Sequence, residues 1–320
     1  PIAPLSNLAA SQVYIAHGAG DIVVGNPQTQ GLHDFYVKAG VPENNITMAC
    51  SADKTCSLSG HAVVTPNGPR QCSDNEHPFL NKCDEQNVPD EILKLFYAAK
   101  LGRWNPPSQT LTGQLIAFSQ DKELENLKDV DTRKHHLAET GYLYVPKVCR
   151  ERQCPVHVAF HGCVQSEAVL AANDKELSRL RPGEAHNNSF VRDAGYNASA
   201  DANGIIILYP QADPFLFPTI NYRLTKKPIL PKDNGALMEM FKLMCTVPVN
   251  QYLTDYGSFG QNPMGCWDWW GYTRQAGYGA DDLYLTREAP QMKAVIEMLD
   301  KLGGDQAAPG YLEQWNDRSG

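Results

Sequence analysis

The sequence lacks any stretch that could cross a membrane and any block of like charges. None of its apolar runs approaches the roughly 20 residues that a membrane helix needs. Its acidic and basic residues are interspersed, with a net charge of −8 and a pI near 5.6, so no basic surface for DNA or RNA is indicated. We therefore expect a chain that neither inserts into a membrane nor binds nucleic acid.

The nine cysteines lack the pattern of a metal site, because none forms a C-x-x-C pair and no histidine pair lies at ligand spacing beside them. We expect neither a metal nor a cofactor. Six cysteines instead lie at short spacings in polar, loop-like sequence, which indicates three local disulfides: Cys50 with Cys56, Cys72 with Cys83, and Cys149 with Cys154. Such disulfides predict an extracellular or periplasmic location.

The odd number of cysteines means that they cannot all pair within the chain. If Cys163 pairs with Cys266, then Cys245 is either free or bonded to a segment outside this sequence. The chain also opens on Pro1 without an initiator methionine, as a processed product would. We expect an upstream piece that is not part of this sequence.

A catalytic serine motif is missing as well, since no G-x-S-x-G elbow occurs anywhere in the sequence. The nearest string, from Tyr256 to Gly260, has the wrong spacing and follows no strand pattern. Ser57 and Ser59 lie in a loop with a candidate histidine, and Ser166 lies beyond a candidate oxyanion strand. The sequence therefore identifies no nucleophile.

Short β-rich runs alternate with helical patterns along the chain. The runs cover residues 12–18, 141–147, 156–162 and 204–210, and the helical patterns cover 30–39, 89–101, 190–202 and 289–302. The last two runs are rich in Val, Ile and Leu, as are strands covered on both faces. This alternation predicts an α/β fold with a mostly parallel sheet and helices on both faces.

One domain over residues 1–302 accounts for this alternation. Residues 213–264 interrupt it with prolines and mixed apolar sequence, which predicts an insertion or lid over the cleft. Residues 303–320 have the composition of a C-terminal tail.

Two polar residues follow strand patterns and form the first candidate for chemistry. The Gly-rich turn HGAGD after the first run presents Asp21, and His61 follows a Ser-Gly pair after a strand pattern near residues 46–49. Catalytic groups of open α/β sheets gather at the carboxyl ends of strands, where an aspartate can orient a histidine. A turn-capping aspartate and an ordinary surface histidine are the alternatives.

The third run ends in His161-Gly162-Cys163, which lets a backbone N–H point at a developing oxyanion. The alternative is a turn glycine with Cys163 in a structural disulfide, and both can hold together. The position of His161 on the strand end favours structural hydrogen bonding over a role as base. Trp267, Trp269 and Trp270, beside Cys266, predict either the lining of a substrate groove or a core plug.

The motifs taken together resemble one known family. HGAGDIVV, SGHAVVT, LTGQLIAFSQ, TGYLYVPKVC, HVAFHGCVQS, GYNASADANGIIILYPQA and NPMGCWDWWGY, spread over roughly residues 8–300, are similar to motifs of the extracellular polyhydroxybutyrate (PHB) depolymerases of the single-domain fungal type. The resemblance implies a circularly permuted α/β-hydrolase fold, in which nucleophile, acid and base precede the oxyanion strand.

The resemblance also implies roles for individual residues. Asp21 is then the triad acid, His61 the general base and the backbone N–H of Cys163 an oxyanion donor, while Trp269, with Trp267 beside it, borders the substrate cleft. Family members carry a G-L-S-S-G-G-like nucleophile segment ahead of the region where this chain starts. This predicts a serine outside the chain, on a removed or separate N-terminal polypeptide that Cys245 could link.

The function that this resemblance implies is that of a secreted serine esterase hydrolysing PHB or a related polyester. Two alternatives remain open at this stage. One is a feruloyl or short-chain esterase of the same permuted fold, and the other is a non-catalytic binding protein that lacks the nucleophile.

Disulfide bonding leads to a testable expectation for stability. A reducing agent should lower the melting temperature, because opened disulfides release the unfolded chain from its loop constraints. Thermal unfolding followed by circular dichroism with and without dithiothreitol measures this, and an unchanged melting temperature would contradict the disulfide interpretation.

Overall fold

The computed structural model describes residues 4–49, 59–120, 136–167, 188–214, 262, 264–269, 271–273, 285–310 and 312. The strands described are β1 (Val13–Ile15), β2 (Ile46–Met48), β3 (Val63–Val64), β4 (Arg70–Gln71), β5 (Leu80–Lys82), β6 (Gln114–Ser119), β7 (Thr140–Val145), β8 (Cys154–Val158), β9 (Ile206–Tyr209) and β10 (Gln306–Ala307). The α-helices described are α1 (Asn26–Lys38), α2 (Val88–Leu101), α3 (Ser189–Asp193), α4 (Tyr196–Asn203) and α5 (Pro290–Leu302).

The largest sheet has five strands in the order β10-β8-β9-β7-β6. Within it only β8 and β9 run parallel, whereas β6 with β7, β7 with β9 and β10 with β8 are antiparallel. The predicted α/β class is confirmed, but this sheet is mixed rather than mostly parallel. The difference arises because β6 pairs with β7 along six residues, and an antiparallel neighbour needs no crossover helix.

Helices cover both faces of this sheet, as predicted, and β9 shows why. All four residues of β9 are fully buried. Ile206 and Leu208 pack in one cluster with residues of α5, and Ile207 and Tyr209 pack in a second cluster with residues of α2, α3 and α4. Because successive side chains of a strand point to opposite faces, a strand buried on both faces reads as a continuous apolar run.

The pattern at residues 190–202 forms two helices, α3 and α4, instead of one. Gly195 separates them with a φ of +97°, a left-handed conformation that favours glycine. A Cβ atom at this position would lie 2.9 Å from Thr65 Oγ1, so the break also fits a close contact with the neighbouring loop.

Two smaller sheets lie at the side of the molecule that carries the candidate residues. β1 and β2 form a parallel pair, and β3, β5 and β4 form a parallel three-stranded sheet. Cys72 and Cys83 form a disulfide across the second of these sheets. The candidate acid, Asp21, follows β1, and the candidate base, His61, lies between β2 and β3.

The predicted disulfides are confirmed where the structure describes their cysteines. Sulfur–sulfur bonds join Cys72 to Cys83, Cys149 to Cys154, and Cys163 to Cys266. The other three cysteines lie outside the described residues, namely Cys50, Cys56 and Cys245.

Residues after α5 depart from the predicted tail at 303–320. β10 pairs with the start of β8, and both Ala307 and Leu312 are buried in the core cluster on the α5 face of the sheet. The structure therefore uses this segment to cover apolar surface that composition alone did not assign to it. The predicted insertion at 213–264 lies almost entirely outside the described residues. Among the described helices, none is both long and apolar enough to span a membrane.

Candidate functional site

Asp21 and His61 meet at the carboxyl end of the β1 and β2 pair. Asp21 lies in the turn after β1, and His61 lies 40 positions later, just before β3. Asp21 Oδ2 is 2.9 Å from His61 Nδ1, which is a hydrogen-bonding distance. The contact uses Nδ1 of the imidazole.

Backbone groups hold the Asp21 carboxylate in place. Its Oδ1 accepts hydrogen bonds from the N–H groups of Val23 and Val24, each at 2.8 Å. The loop that holds the candidate acid Asp21 (the acid loop) also lies close against the loop that holds the candidate base His61 (the base loop), because a Cβ atom on Gly18 would lie only 2.0 Å from the carbonyl oxygen of Ser59. Glycine is thus required at position 18 for the two loops to approach.

The two side chains differ in their access to solvent. The Asp21 side chain is 10% exposed and that of His61 is 31% exposed. Burial raises the pKa of the Asp21 carboxyl, but the hydrogen bond and charge of His61, with the amides of Val24 and Val23, lower it further, so the net pKa is below its usual value. Asp21 is therefore ionised near neutral pH and can hold the His61 Nδ1 proton.

In the turn after β8, the backbone N–H of Cys163 has no acceptor among the described residues. The N–H of Gly162 donates to Gln165 Oε1 at 2.8 Å, and the N–H of Val164 donates to the carbonyl of Met264 at 2.7 Å. Between them, the N–H of Cys163 donates to no described residue. This is the arrangement that an oxyanion donor needs.

His161 is engaged in structural hydrogen bonds. Its Nδ1 donates to the Gly162 carbonyl at 2.7 Å, and its Nε2 accepts from the N–H of Ala212 at 3.1 Å. Burial lowers the pKa of His161 to about 4, with the Gly162 hydrogen bond opposing that shift. The imidazole is thus neutral, and both nitrogens are used.

The tryptophan loop has one inward and one outward member. Trp267 donates from Nε1 to the His161 carbonyl at 3.1 Å, and its ring meets that of Phe160 edge-on at 5.0 Å. Trp269 is 49% exposed. The disulfide of Cys163 with Cys266 fixes this loop to the turn after β8, called the oxyanion turn for its predicted role. Trp267 therefore supports the turn, while Trp269 faces outward, and Trp270 lies outside the described residues.

A cavity of about 470 Å³ lies where β1 and β8 end. Asp21, His61 and Gly162 line it together with Phe160, so the candidate acid, the candidate base and the turn after β8 face one space. Within the described part of the chain, no group of three His, Cys, Asp or Glu side chains is arranged to hold a metal ion.

Two side-chain amides at the site were not predicted from the sequence. Asn75 contacts both the acid loop and the base loop, and Gln165 joins Gly162 to the carbonyls of Pro78 and Phe79. Neither residue stands in a recognisable motif. Only their positions in the sequence could have pointed to them: Asn75 lies between Cys72 and Cys83, and Gln165 lies just after the His161-Gly162-Cys163 segment.

Comparison with known proteins agrees with the resemblance. No protein-family model matches the chain. The chain is 26% identical over 304 residues to a poly(3-hydroxybutyrate) depolymerase of Delftia acidovorans, covering 94% of this chain and 44% of that protein. It is 27% identical over 307 residues to a polyhydroxybutyrate depolymerase of Talaromyces funiculosus, covering 94% and 68%. The chain thus spans less than half the length of the Delftia relative.

Solved structures of PHB depolymerases share the fold. The structure of a serine-to-alanine variant in complex with an R3HB trimer matches with a TM-score of 0.61 and 22% identity. The crystal structure of the enzyme from Penicillium funiculosum matches with a TM-score of 0.60 and 23% identity, and both comparisons cover 97% of this chain and 74% of the other. The chain is a relative of the PHB depolymerases and has their fold.

The burial of His161 predicts sensitivity to acid. Between pH 6.5 and about 4 the unfolded state binds a proton at this histidine and the folded state does not, so the free energy of unfolding should fall as pH falls. In His161→Gln this pH dependence should be weaker, whatever the stability at neutral pH. Urea unfolding across this range tests it, with His33→Gln on α1 as control. An equal slope in His161→Gln and in the unmodified protein would refute the structural role.

Proposed function

We propose that this chain, a relative of the PHB depolymerases, supplies the acid, the base and one oxyanion donor of a serine esterase that hydrolyses PHB or a related polyester. The contact between Asp21 Oδ2 and His61 Nδ1, at a cavity shared with the turn after β8, carries the proposal. An ionised, nearly buried carboxylate beside one imidazole nitrogen is the arrangement that makes the other nitrogen a base.

The proposed reaction is acyl transfer through a covalent intermediate. A serine hydroxyl attacks the ester carbonyl while His61 Nε2 takes its proton, and the carbonyl oxygen becomes an oxyanion that accepts from the Cys163 N–H. Collapse breaks the ester C–O bond, and His61 returns the proton to the departing alcohol. Water then attacks the acyl-serine by the same route, which releases the acid and restores the serine.

The serine of this mechanism is proposed to lie outside the chain. Among the described serines, Ser59 lines the cavity, but its hydroxyl donates to the Gly60 carbonyl at 2.9 Å. Ser166 is fully buried and is not part of the cavity wall. A separate or removed N-terminal polypeptide, which Cys245 could link to this chain, would supply the nucleophile.

Residues of β1 and of the turn after β8 both line the cavity, and we propose that such a segment enters between them. The N–H of Ala159 bonds to Leu208 of β9, so alternate backbone groups, including those of Phe160, point to the opposite edge of β8. On that edge the described residues provide only β10, which pairs at Cys154 and Pro155. Phe160 on this side and Tyr14 of β1 on the other both line the cavity. A strand entering here would bring a serine to the strand ends, where His61 lies.

Apolar side chains near the cavity support an apolar polymer as the substrate. Phe160 is 50% exposed and Ile22, beside Asp21, is 64% exposed. A polyester chain presents repeated methyl and methylene groups that such a surface can cover. The disulfides of the chain agree with an extracellular site of action, where an insoluble polymer would be met.

Substitution of His61 tests the proposed function. In a form that bears the nucleophile, His61→Ala should lower kcat for p-nitrophenyl esters by about 10⁴-fold, since a triad without its base loses proton transfer. His33→Ala is the matched control, because that histidine, on α1, is not among the residues that line the cavity. Near-native turnover by a folded His61→Ala protein would reject the assignment.

Trp269 tests the substrate class. Trp269→Ala should reduce release of product from PHB films more than hydrolysis of a soluble p-nitrophenyl ester, because an exposed ring adds contact area only for a large substrate. Clearing of PHB suspensions and ester kinetics measure the two activities. Equal losses on both substrates would count against polymer contact, and activity on soluble esters alone would favour a short-chain or feruloyl esterase.

A further inference from the structure

Asn75 lies between the acid loop and the base loop and is hydrogen-bonded to both. Its Oδ1 accepts from the N–H of His61 at 2.7 Å and from the N–H of Ile22 at 3.2 Å. Its Nδ2 donates to the carbonyl of Gly20 at 3.0 Å. The amide thus contacts the residues on either side of Asp21 and the backbone of its partner histidine.

Asn75 is itself held by the loop that the Cys72–Cys83 disulfide closes. Asn81 Nδ2 donates to the carbonyls of Cys72 and Asp74, at 2.9 and 2.7 Å, which fixes the backbone next to Asn75. The N–H of Gly60 donates to the Cys72 carbonyl at 2.9 Å, so the base loop also touches this backbone directly. The side chain of Asn75 therefore projects from a fixed support.

We propose that Asn75 is a positioning residue that sets the distance between Asp21 and His61 without touching the substrate. The proposal rests on the proposed function only in taking these two residues as acid and base. Asn75 restrains the backbone on both sides of Asp21 and the backbone of His61, whereas the direct contact joins only the tips of their side chains. Without the amide, the two loops keep the hydrogen bond from the Gly20 N–H to the Ser59 carbonyl at 2.9 Å. They lose the hydrogen bonds that both make to the Asn75 side chain.

The chemistry of this position requires an amide. Two N–H groups need an acceptor and the Gly20 carbonyl needs a donor, and the asparagine side chain offers both. An aspartate keeps the acceptor oxygens, loses the donor and places a second negative charge near Asp21. An alanine removes these three bonds and also the one from Nδ2 to the Ser73 carbonyl at 3.3 Å.

The Nδ1 proton of His61 reports the positioning directly and needs no nucleophile. An imidazole N–H bonded to a carboxylate gives a proton resonance downfield of the amides in water, and His61→Gln identifies it by its loss. His161 supplies an internal reference, because its Nδ1–H donates to the Gly162 carbonyl and should give a second such resonance. Both can be read from one spectrum of the purified protein.

Asn75→Ala should abolish or broaden the His61 resonance and leave that of His161 in place. Asn75→Asp should retain the resonance at a shifted position. Glu76→Gln is the matched control, since this neighbour in the same loop pairs with Arg70 and should leave both resonances unchanged. In a nucleophile-bearing form, Asn75→Ala should lower kcat by about 10²-fold at unchanged KM, as expected for misplaced catalytic groups.

An unchanged His61 resonance in folded Asn75→Ala would overturn the proposal, and so would its absence from the unmodified protein. If Asn75→Ala fails to fold, shown by loss of the His161 resonance as well, Asn75→Asp decides, and an unshifted His61 resonance there would reject the role. A His61 resonance that depends on Asn75, together with a nucleophile-bearing form that shows no esterase activity, would support the positioning role and reject the proposed function.

Discussion

The Cys72–Cys83 disulfide closes a loop to which all three parts of the site are hydrogen-bonded. Asn75 in this loop holds the turn of Asp21 and the backbone of His61. The carbonyls of Pro78 and Phe79, in the same loop, accept from Gln165, whose Oε1 accepts from Gly162 in the oxyanion turn. Loops have no core of their own, so their relative positions depend on such cross-connections.

A small apolar cluster also holds these loops together. Phe79, Val164 and Cys266 are among its buried members, and the ring of Phe79 meets that of His61 edge-on at 5.5 Å. The disulfide of Cys163 with Cys266 crosses the same cluster. The base loop, the oxyanion turn and the tryptophan loop therefore all pack on this one apolar cluster. The five-stranded sheet has separate clusters on its two faces. β8, a strand of this sheet, leads directly into the oxyanion turn.

Features that depend on where strands end and on how residues are spaced could be predicted from the sequence. Asp21 and His61 follow two strands that pair in parallel, and parallel neighbours bring their carboxyl ends to the same edge. Their catalytic roles stay a prediction. The structural role of His161 could be inferred because a residue on a buried strand end must satisfy its polar atoms locally. The local disulfides followed from short spacings, since few residues separate each pair.

Other features could not be predicted because they depend on contacts between distant segments. Asn75 and Gln165 act through tertiary hydrogen bonds that leave no periodicity in the chain. The mixed sheet was missed because a buried antiparallel strand has the same apolar run as a parallel one. The segment after α5 was predicted to be a tail because its composition is mostly polar. Two of its apolar residues, Ala307 and Leu312, nevertheless pack in the core.

The central claim is that Asp21 and His61 activate a serine that is not among the 320 residues of this sequence. Labelling of the material purified from its natural source with a fluorophosphonate, followed by peptide mapping, tests it most directly. The account predicts one labelled serine, on a peptide outside the printed sequence, and loss of labelling when His61 is replaced by alanine. Absence of labelling, a label on a serine of this chain, or labelling that persists without His61 would contradict it.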